Sequence, residues 1–241
     1  MFNEISKKDF PILERRFSND KQLTYLDSAA TTQKPTRVID AMDAYYRTTN
    51  ANVHRGIHTL AEEATAAYED SRLRIAQFVG VTNPKQIIFT RNTTESINLA
   101  AMTWGQKNLT EGDLVLTTQM EHHSNIVPWF MLRDRIGIDL EFIQISSEGT
   151  IDLDQYASLL TREPKLVAFT HVSNVLGTIN PAKQIISAAH AAGALVLVDG
   201  AQSVPHLPVN IEDLNADFYA FSAHKRSEER RVGKECRYRW S

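Results

Sequence analysis

The chain of 241 residues holds a single cysteine, Cys236. That excludes an intrachain disulfide and is neutral on metal binding. No apolar run approaches the roughly 20 residues of a membrane-spanning helix, and Ala194–Val198 is far too short. Met1 to Phe17 mixes Glu4, Lys7, Lys8, Asp9, Glu14, Arg15 and Arg16 with apolar residues, so it lacks the apolar core of a signal peptide. Neither sign of charge dominates, since the net charge is −3 and gives no reason to expect nucleic acid as a partner. Residues 1–225 contain no repeat, low-complexity stretch or Pro-rich linker. With 42% hydrophobic and 23% charged residues, the composition is that of a soluble globular domain, and it predicts a cytoplasmic protein.

Short β-rich runs alternate with longer helical patterns. Strands are predicted at Leu23–Leu26, Gln86–Phe89, Leu114–Thr118, Leu140–Ile145, Leu166–Phe169, Ala194–Val198 and Phe218–Phe221. Several are apolar throughout, as in parallel sheets covered on both faces. Helices are predicted near 36–48, 59–79, 94–106, 124–136, 152–160 and 183–192. In the second of these, Leu60, Ala64, Ala67, Ile75 and Phe78 form an apolar stripe. Asp70 and Arg74 can pair at i,i+4, and Gly80 offers a stop. Gly137 and Gly193 punctuate later helices. The alternation predicts an α/β fold, a mostly parallel sheet flanked by helices. In such sheets ligands sit beyond the carboxyl ends of the strands.

Two strand ends are the most informative stretches: Asp199-Gly-Ala-Gln202, then Ser222-Ala-His-Lys225. An acid ending one buried strand and a lysine closing the next fit pyridoxal 5′-phosphate. Lys225 can hold the aldehyde as a Schiff base, and Asp199 can keep the ring nitrogen protonated. A buried carboxylate without a cation is costly, and a pyridinium supplies one. Alone, such an aspartate more often caps a helix or turn. Gln202, and Asn174 in His171-Val-Ser-Asn174, could donate to the phenolate oxygen, although both residue types commonly serve turns.

The phosphate needs amides and hydroxyls. Thr90-Arg-Asn-Thr-Thr-Glu95 leads into a helix whose N-terminus suits an anion. There Thr94 adds a hydroxyl, and Thr93 reads equally as a plain helix cap. Ser222 and His224 could complete this pocket. In Glu121-His122-His123, an imidazole could stack on the ring and shuttle protons near neutral pH. Metal is not expected: adjacent histidines seldom reach one ion, and His54 and His58 lack the glutamate of a zinc-protease motif.

Taken together, residues 1–225 resemble the SUF-type (group II) cysteine desulfurases, also called selenocysteine lyase-like proteins, among the class V, fold-type I pyridoxal-phosphate enzymes. The matching stretches are Tyr25–Thr31, Asn52–Leu60, Thr93–Glu95, Glu121–Trp129, Thr170–Thr178, Asp199–Gln202 and Ser222–Lys225. The His-Arg-Gly-Ile-His and Glu-His-His-x-Asn-Ile-Val-Pro-Trp runs mark the branch. The resemblance implies a truncated fold-type I large domain over residues 21–225, after an N-terminal segment 1–20. It implies that Lys225 binds the cofactor and moves the Cα proton, and that His122 stacks on the ring and takes part in acid–base steps. Asp199 and Gln202 would tune the ring, and Thr94, Ser222 and His224 would hold the phosphate. His54 and Arg55 would lie in a loop reaching toward an active site of the homodimer. The implied reaction takes L-cysteine, or L-selenocysteine, to L-alanine. Sulfur passes as an enzyme persulfide to an acceptor protein for iron–sulfur cluster assembly. A class V aminotransferase or lyase, or a non-catalytic truncated product, are the competing readings.

After Lys225 the family pattern stops. Residues 226–241 carry six Lys/Arg against three Glu and match nothing the family places there. The family's nucleophilic cysteine and its carboxylate-binding arginine come later in its sequences. Cys236 is therefore not expected to act as the nucleophile, and the chain as written is expected not to turn over L-cysteine at an enzyme-like rate. Robust alanine release that disappears in Cys236→Ala would contradict this.

Overall fold

A computed structural model describes residues 7–225 of the chain, which divides into two compact units. Among the described residues, one comprises those up to Phe89 with Ala223–Lys225, and the other is Thr90–Ser222.

The first unit is helical. Helix α1 (Thr36–Thr48) has the bounds its sequence predicts, starts after Pro35, and carries an Asp43–Arg47 pair at 2.7 Å. In α2 (Thr59–Phe78) the Asp70–Arg74 pair forms at 2.7 Å, and Gly80 follows in the left-handed region at φ +69°. That helix buries Ala61, Ala64, Ser71 and Ala76, while Leu60 stays 45% exposed. The predicted stripe is thus displaced onto a face of small residues.

Neither strand predicted in this unit forms. Around Leu23–Leu26 the chain reverses at Asp20, whose φ is +60°, and pairs only as an isolated Arg16–Gln22 bridge. Leu26 is left 90% exposed. At Gln86–Phe89 the neighbour is a helix instead of a strand. Arg72 of α2 donates to the Ile87 carbonyl, and its guanidinium lies 5.1 Å from the Phe89 ring centroid. An extended segment becomes a strand only where another backbone offers a ladder.

The second unit is a parallel five-stranded sheet of order β2-β1-β3-β4-β5. Its strands are β1 (Leu114–Thr118), β2 (Asp139–Ile143), β3 (Leu166–Thr170), β4 (Leu195–Asp199) and β5 (Phe218–Ala220). Helices α3 (Thr93–Ala100), α4 (Gln106–Asn108), α5 (Val127–Ile136), α6 (Leu153–Leu160), α7 (Ala182–Ala191), α8 (Ser203–His206) and α9 (Ile211–Leu214) fill the intervals. The predicted helix 94–106 is interrupted by a wider π turn at Ala101–Gly105, and a 3-10 turn at His123–Asn125 precedes α5.

Because both faces are covered, successive strand residues enter two different cores. Leu116, Val167, Phe169, Val196 and Val198 pack with Tyr156, Ile185 and Ile186 of α6 and α7. Val115, Leu166, Ala168 and Leu197 pack on the other face with Ile97, Trp129 and Leu132 of α3 and α5. Every residue of β1 and β3 is buried, which explains the apolar runs Leu114–Leu116 and Leu166–Phe169 that precede their terminal threonines.

Candidate functional site

In a parallel sheet all carboxyl ends point the same way, and here the register lines them up. Thr170 is opposite Asp199, and Asp199 is opposite Ala220. The backbone continues this alignment beyond the strands, with His171 N–H donating to the Asp199 carbonyl at 2.9 Å and Gly200 N–H to the Ala220 carbonyl at 2.7 Å. The ends of β1, β3 and β4 and the segments leaving them carry residues singled out from the sequence: His122, Asn174, Asp199 and Gln202.

Asp199 is only 3% exposed, and its Oδ1 accepts the Ala201 N–H at 2.9 Å. Gln202, 5% exposed, sits at the start of α8. Between them Gly200 lies against Tyr219, where a Cβ would collide with the ring. The Tyr219 hydroxyl bonds to Ser203 Oγ at 2.6 Å and His171 Nδ1 at 2.8 Å, holding the turn from below. Burial holds the His171 imidazole below its ordinary pKa and raises that of the Tyr219 phenol, so both stay neutral.

Ser222 is buried, and its Oγ accepts the Thr93 N–H at 2.9 Å and lies 2.6 Å from Thr93 Oγ1. This joins the end of β5 to the start of α3. The cap of α3 is Asn92, whose Oδ1 takes the Glu95 N–H at 2.9 Å, so Thr93 is the first helical residue and not the cap. Thr94 is exposed in that first turn, between two amides already engaged. Asn174 is exposed in the reversal that brings Val172 and Ile179 together after β3.

His122 is exposed, but its ring is not free to turn. Nδ1 accepts the Ser124 N–H at 3.1 Å and lies 2.7 Å from Ser124 Oγ. Nδ1 is thus occupied, and the neutral ring carries its proton on Nε2. Glu121, next to it, had no assigned role in the sequence pattern. It is 9% exposed and bonded to Thr118, Asn125 and Thr170, and its pKa is raised to about 8, chiefly by burial. The sequence signal that could have flagged it is an acid three residues past a buried strand.

His224 and Lys225 belong to the first unit. Lys225 ends a 3-10 turn, Ala223–Lys225, so it does not close the strand as expected. The His224 carbonyl accepts the Thr32 N–H at 2.9 Å and Thr32 Oγ1 at 2.8 Å. His54 Nε2 pairs with Glu69 Oε1 at 3.0 Å, whereas His58 Nδ1 caps α2 through the Ala61 N–H at 3.4 Å. Among the described residues no group of three His, Cys, Asp or Glu could hold a metal. Cys236 lies outside the described residues.

As a donor set, the second unit's residues suit a ring with a cationic nitrogen and an anionic substituent. Asp199 offers a buried carboxylate, α3 a helix start with hydroxyls, and His122 an exposed imidazole with a fixed tautomer.

Residues 24–227 match the family described as Aminotransferase class-V. A probable cysteine desulfurase of Halalkalibacterium halodurans is 50% identical over 219 residues, covering 91% of this chain and 54% of the relative. A cysteine desulfurase of Cronobacter sakazakii is 52% identical with the same coverage, 91% and 54%. Among solved structures, the apo cysteine desulfurase of Thermococcus onnurineus superposes with a TM-score of 0.82 at 43% identity, over 90% of this chain and 52% of that one. The chain thus spans about half the length of the relatives it matches. Among the described residues no helix is long and apolar enough to cross a membrane.

Proposed function

The chain belongs to the class V aminotransferase family, and on that premise we propose that it is the cofactor-binding part of a pyridoxal-phosphate-dependent cysteine desulfurase. The observation that carries the reading is the carboxylate of Asp199, 3% exposed at the end of β4. It is a buried acid at the carboxyl end of a parallel sheet, where ligands of such sheets sit, in a chain about half identical to named cysteine desulfurases.

When bound, the pyridoxal group supplies an electron sink for charge left at the substrate Cα. The chain's own residues do the rest. Asp199 keeps the ring nitrogen protonated, and Gln202 and Asn174 offer donors to the ring oxygen. Thr94, with Ser222 and His224, serves the phosphate at the start of α3. His122 covers the ring and presents Nε2 for proton movement. Lys225 supplies the amine that binds the aldehyde and then moves the Cα proton.

The substrate of the whole protein is L-cysteine, with L-selenocysteine as its close analogue. The C–S bond breaks with its electron pair left on carbon, which takes up a proton to give L-alanine. The sulfur joins an enzyme thiolate as a persulfide, so the step needs no external oxidant or reductant. In its finer form the proposal is a SUF-type homodimer passing sulfur to an acceptor protein for iron–sulfur cluster assembly.

Borohydride reduction of the chain incubated with pyridoxal phosphate, followed by peptide mapping, tests the assignment. The expected result is one pyridoxyl label on Lys225 that vanishes in Lys225→Ala. Label spread over surface lysines, unchanged in that variant, would refute it.

A further inference from the structure

We propose that Glu121 is the positioning residue for His122: its carboxyl group fastens the turn that carries the imidazole to the ends of β1 and β3. The functional half of this rests on reading His122 as the partner of the cofactor ring.

The geometry is a three-way junction. Glu121 Oε1 accepts Thr118 Oγ1 at 2.5 Å, at the end of β1, and the Thr170 N–H at 2.9 Å, at the end of β3. Oε2 accepts Asn125 Nδ2 at 2.7 Å, at the far end of the His123–Asn125 turn. Asn125 is fully buried, and its Oδ1 accepts Trp129 Nε1 at 3.3 Å. Trp129 is itself fully buried in the core beneath α5. The imidazole therefore sits on a turn anchored to two strands on one side and to the core on the other. Thr170 is opposite Asp199 in the ladder, so the same carboxyl group sets the spacing between the imidazole's turn and the acid of the site.

The chain of donors has one polarity. Thr118, Thr170 and Asn125 all donate to Glu121, and Asn125 in turn accepts from Trp129. A glutamine at 121 keeps the volume but sets its NH2 against that of Asn125. Flipping Asn125 only moves the conflict to the Trp129 N–H, and an unmade buried hydrogen bond is costly. The double variant Glu121→Gln/Asn125→Asp restores an acceptor for both donors with the same number of carboxyl groups. The charges to consider are few: Asp199 acts on Glu121 from β4, and His122 shares its turn. Burial raises the Glu121 pKa to about 8, so the all-acceptor arrangement is that of the ionised carboxylate, and the spectra below are recorded at pH 9.

The test uses the full chain and two readouts. Nitrogen-15 spectra of the imidazoles without cofactor report the His122 tautomer directly. A single Nε2–H form is expected in the parent chain, mixed tautomers in Glu121→Gln, and the single form again in Glu121→Gln/Asn125→Asp. An unchanged tautomer in Glu121→Gln, or a folded double variant that fails to restore it, overturns the proposal. Visible circular dichroism after adding pyridoxal phosphate supplies the second readout. Glu121→Gln should weaken cofactor binding about tenfold, and His122→Ala should change the band. If His122→Ala leaves the band unchanged, the imidazole is not the ring's partner and the proposal falls with that reading. That failure is recognisable because the tautomer shift in Glu121→Gln persists.

Discussion

Asp199→Asn is expected to leave the chain folded while weakening pyridoxal phosphate binding about 100-fold or more. The substitution isolates charge from shape. Asp199 Oδ1 accepts the Ala201 N–H at 2.9 Å, and an asparagine oxygen can take the same bond, so the turn after β4 keeps its support. In the proposed site, the substitution removes the negative charge offered to the ring nitrogen. Removing one partner of a buried charge pair costs about 3–5 kcal/mol, and every 1.4 kcal/mol is about tenfold in affinity. Titrating cofactor absorbance in parent and variant, with thermal unfolding as a control, measures the effect. Equal affinities in two equally folded proteins would remove Asp199 from the site.

The second large effect concerns stability against pH. Glu121 titrates near 8 in the folded chain, against 4.5 for an ordinary glutamate, because burial disfavours its charged form and Asp199 adds repulsion. Above pH 4.5 the unfolded chain has released this proton while the folded chain still holds it. The contribution of Glu121 is therefore fully present below pH 4.5 and lost as pH rises through about 8. The expected slope is about 1.4 kcal/mol per pH unit across that window. Denaturant unfolding between pH 5 and 9 should show it in the parent and lack it in Glu121→Gln. In Asp199→Asn the upper bend should move to lower pH, because the neighbouring negative charge is gone. Parallel stability curves for parent and Glu121→Gln would show that Glu121 titrates normally.

The parts of the fold that could be read from sequence were those where local pattern and burial agree. β1 and β3 open on apolar runs because both faces are covered, so the runs announce themselves. α1 and α2 are marked by Pro35, Gly80 and paired charges. The expected strands at Leu23–Leu26 and Gln86–Phe89 failed because nothing in a short apolar run says whether a second backbone will lie beside it. Arg72 supplies the neighbour at Ile87, from another part of the chain. The same limit applied at the site. Asp199 and Gln202 stood out through their position after an apolar run. Ser222 meets Thr93 across 129 residues of chain, and no local pattern encodes that contact. Glu121 lay within a quoted run, yet its role follows from what Thr118, Asn125 and Thr170 do around it.

The strand order β2-β1-β3-β4-β5 also bears on how the molecule is built during synthesis. As the polypeptide emerges from the ribosome, β1 comes first, and β2 settles on one flank of it. β3 then takes the opposite flank, and β4 and β5 extend the same growing margin in turn. No later arrival has to wedge between two strands that are already joined. Translation can therefore lay down these five parallel ribbons one at a time, each against a neighbour already in place.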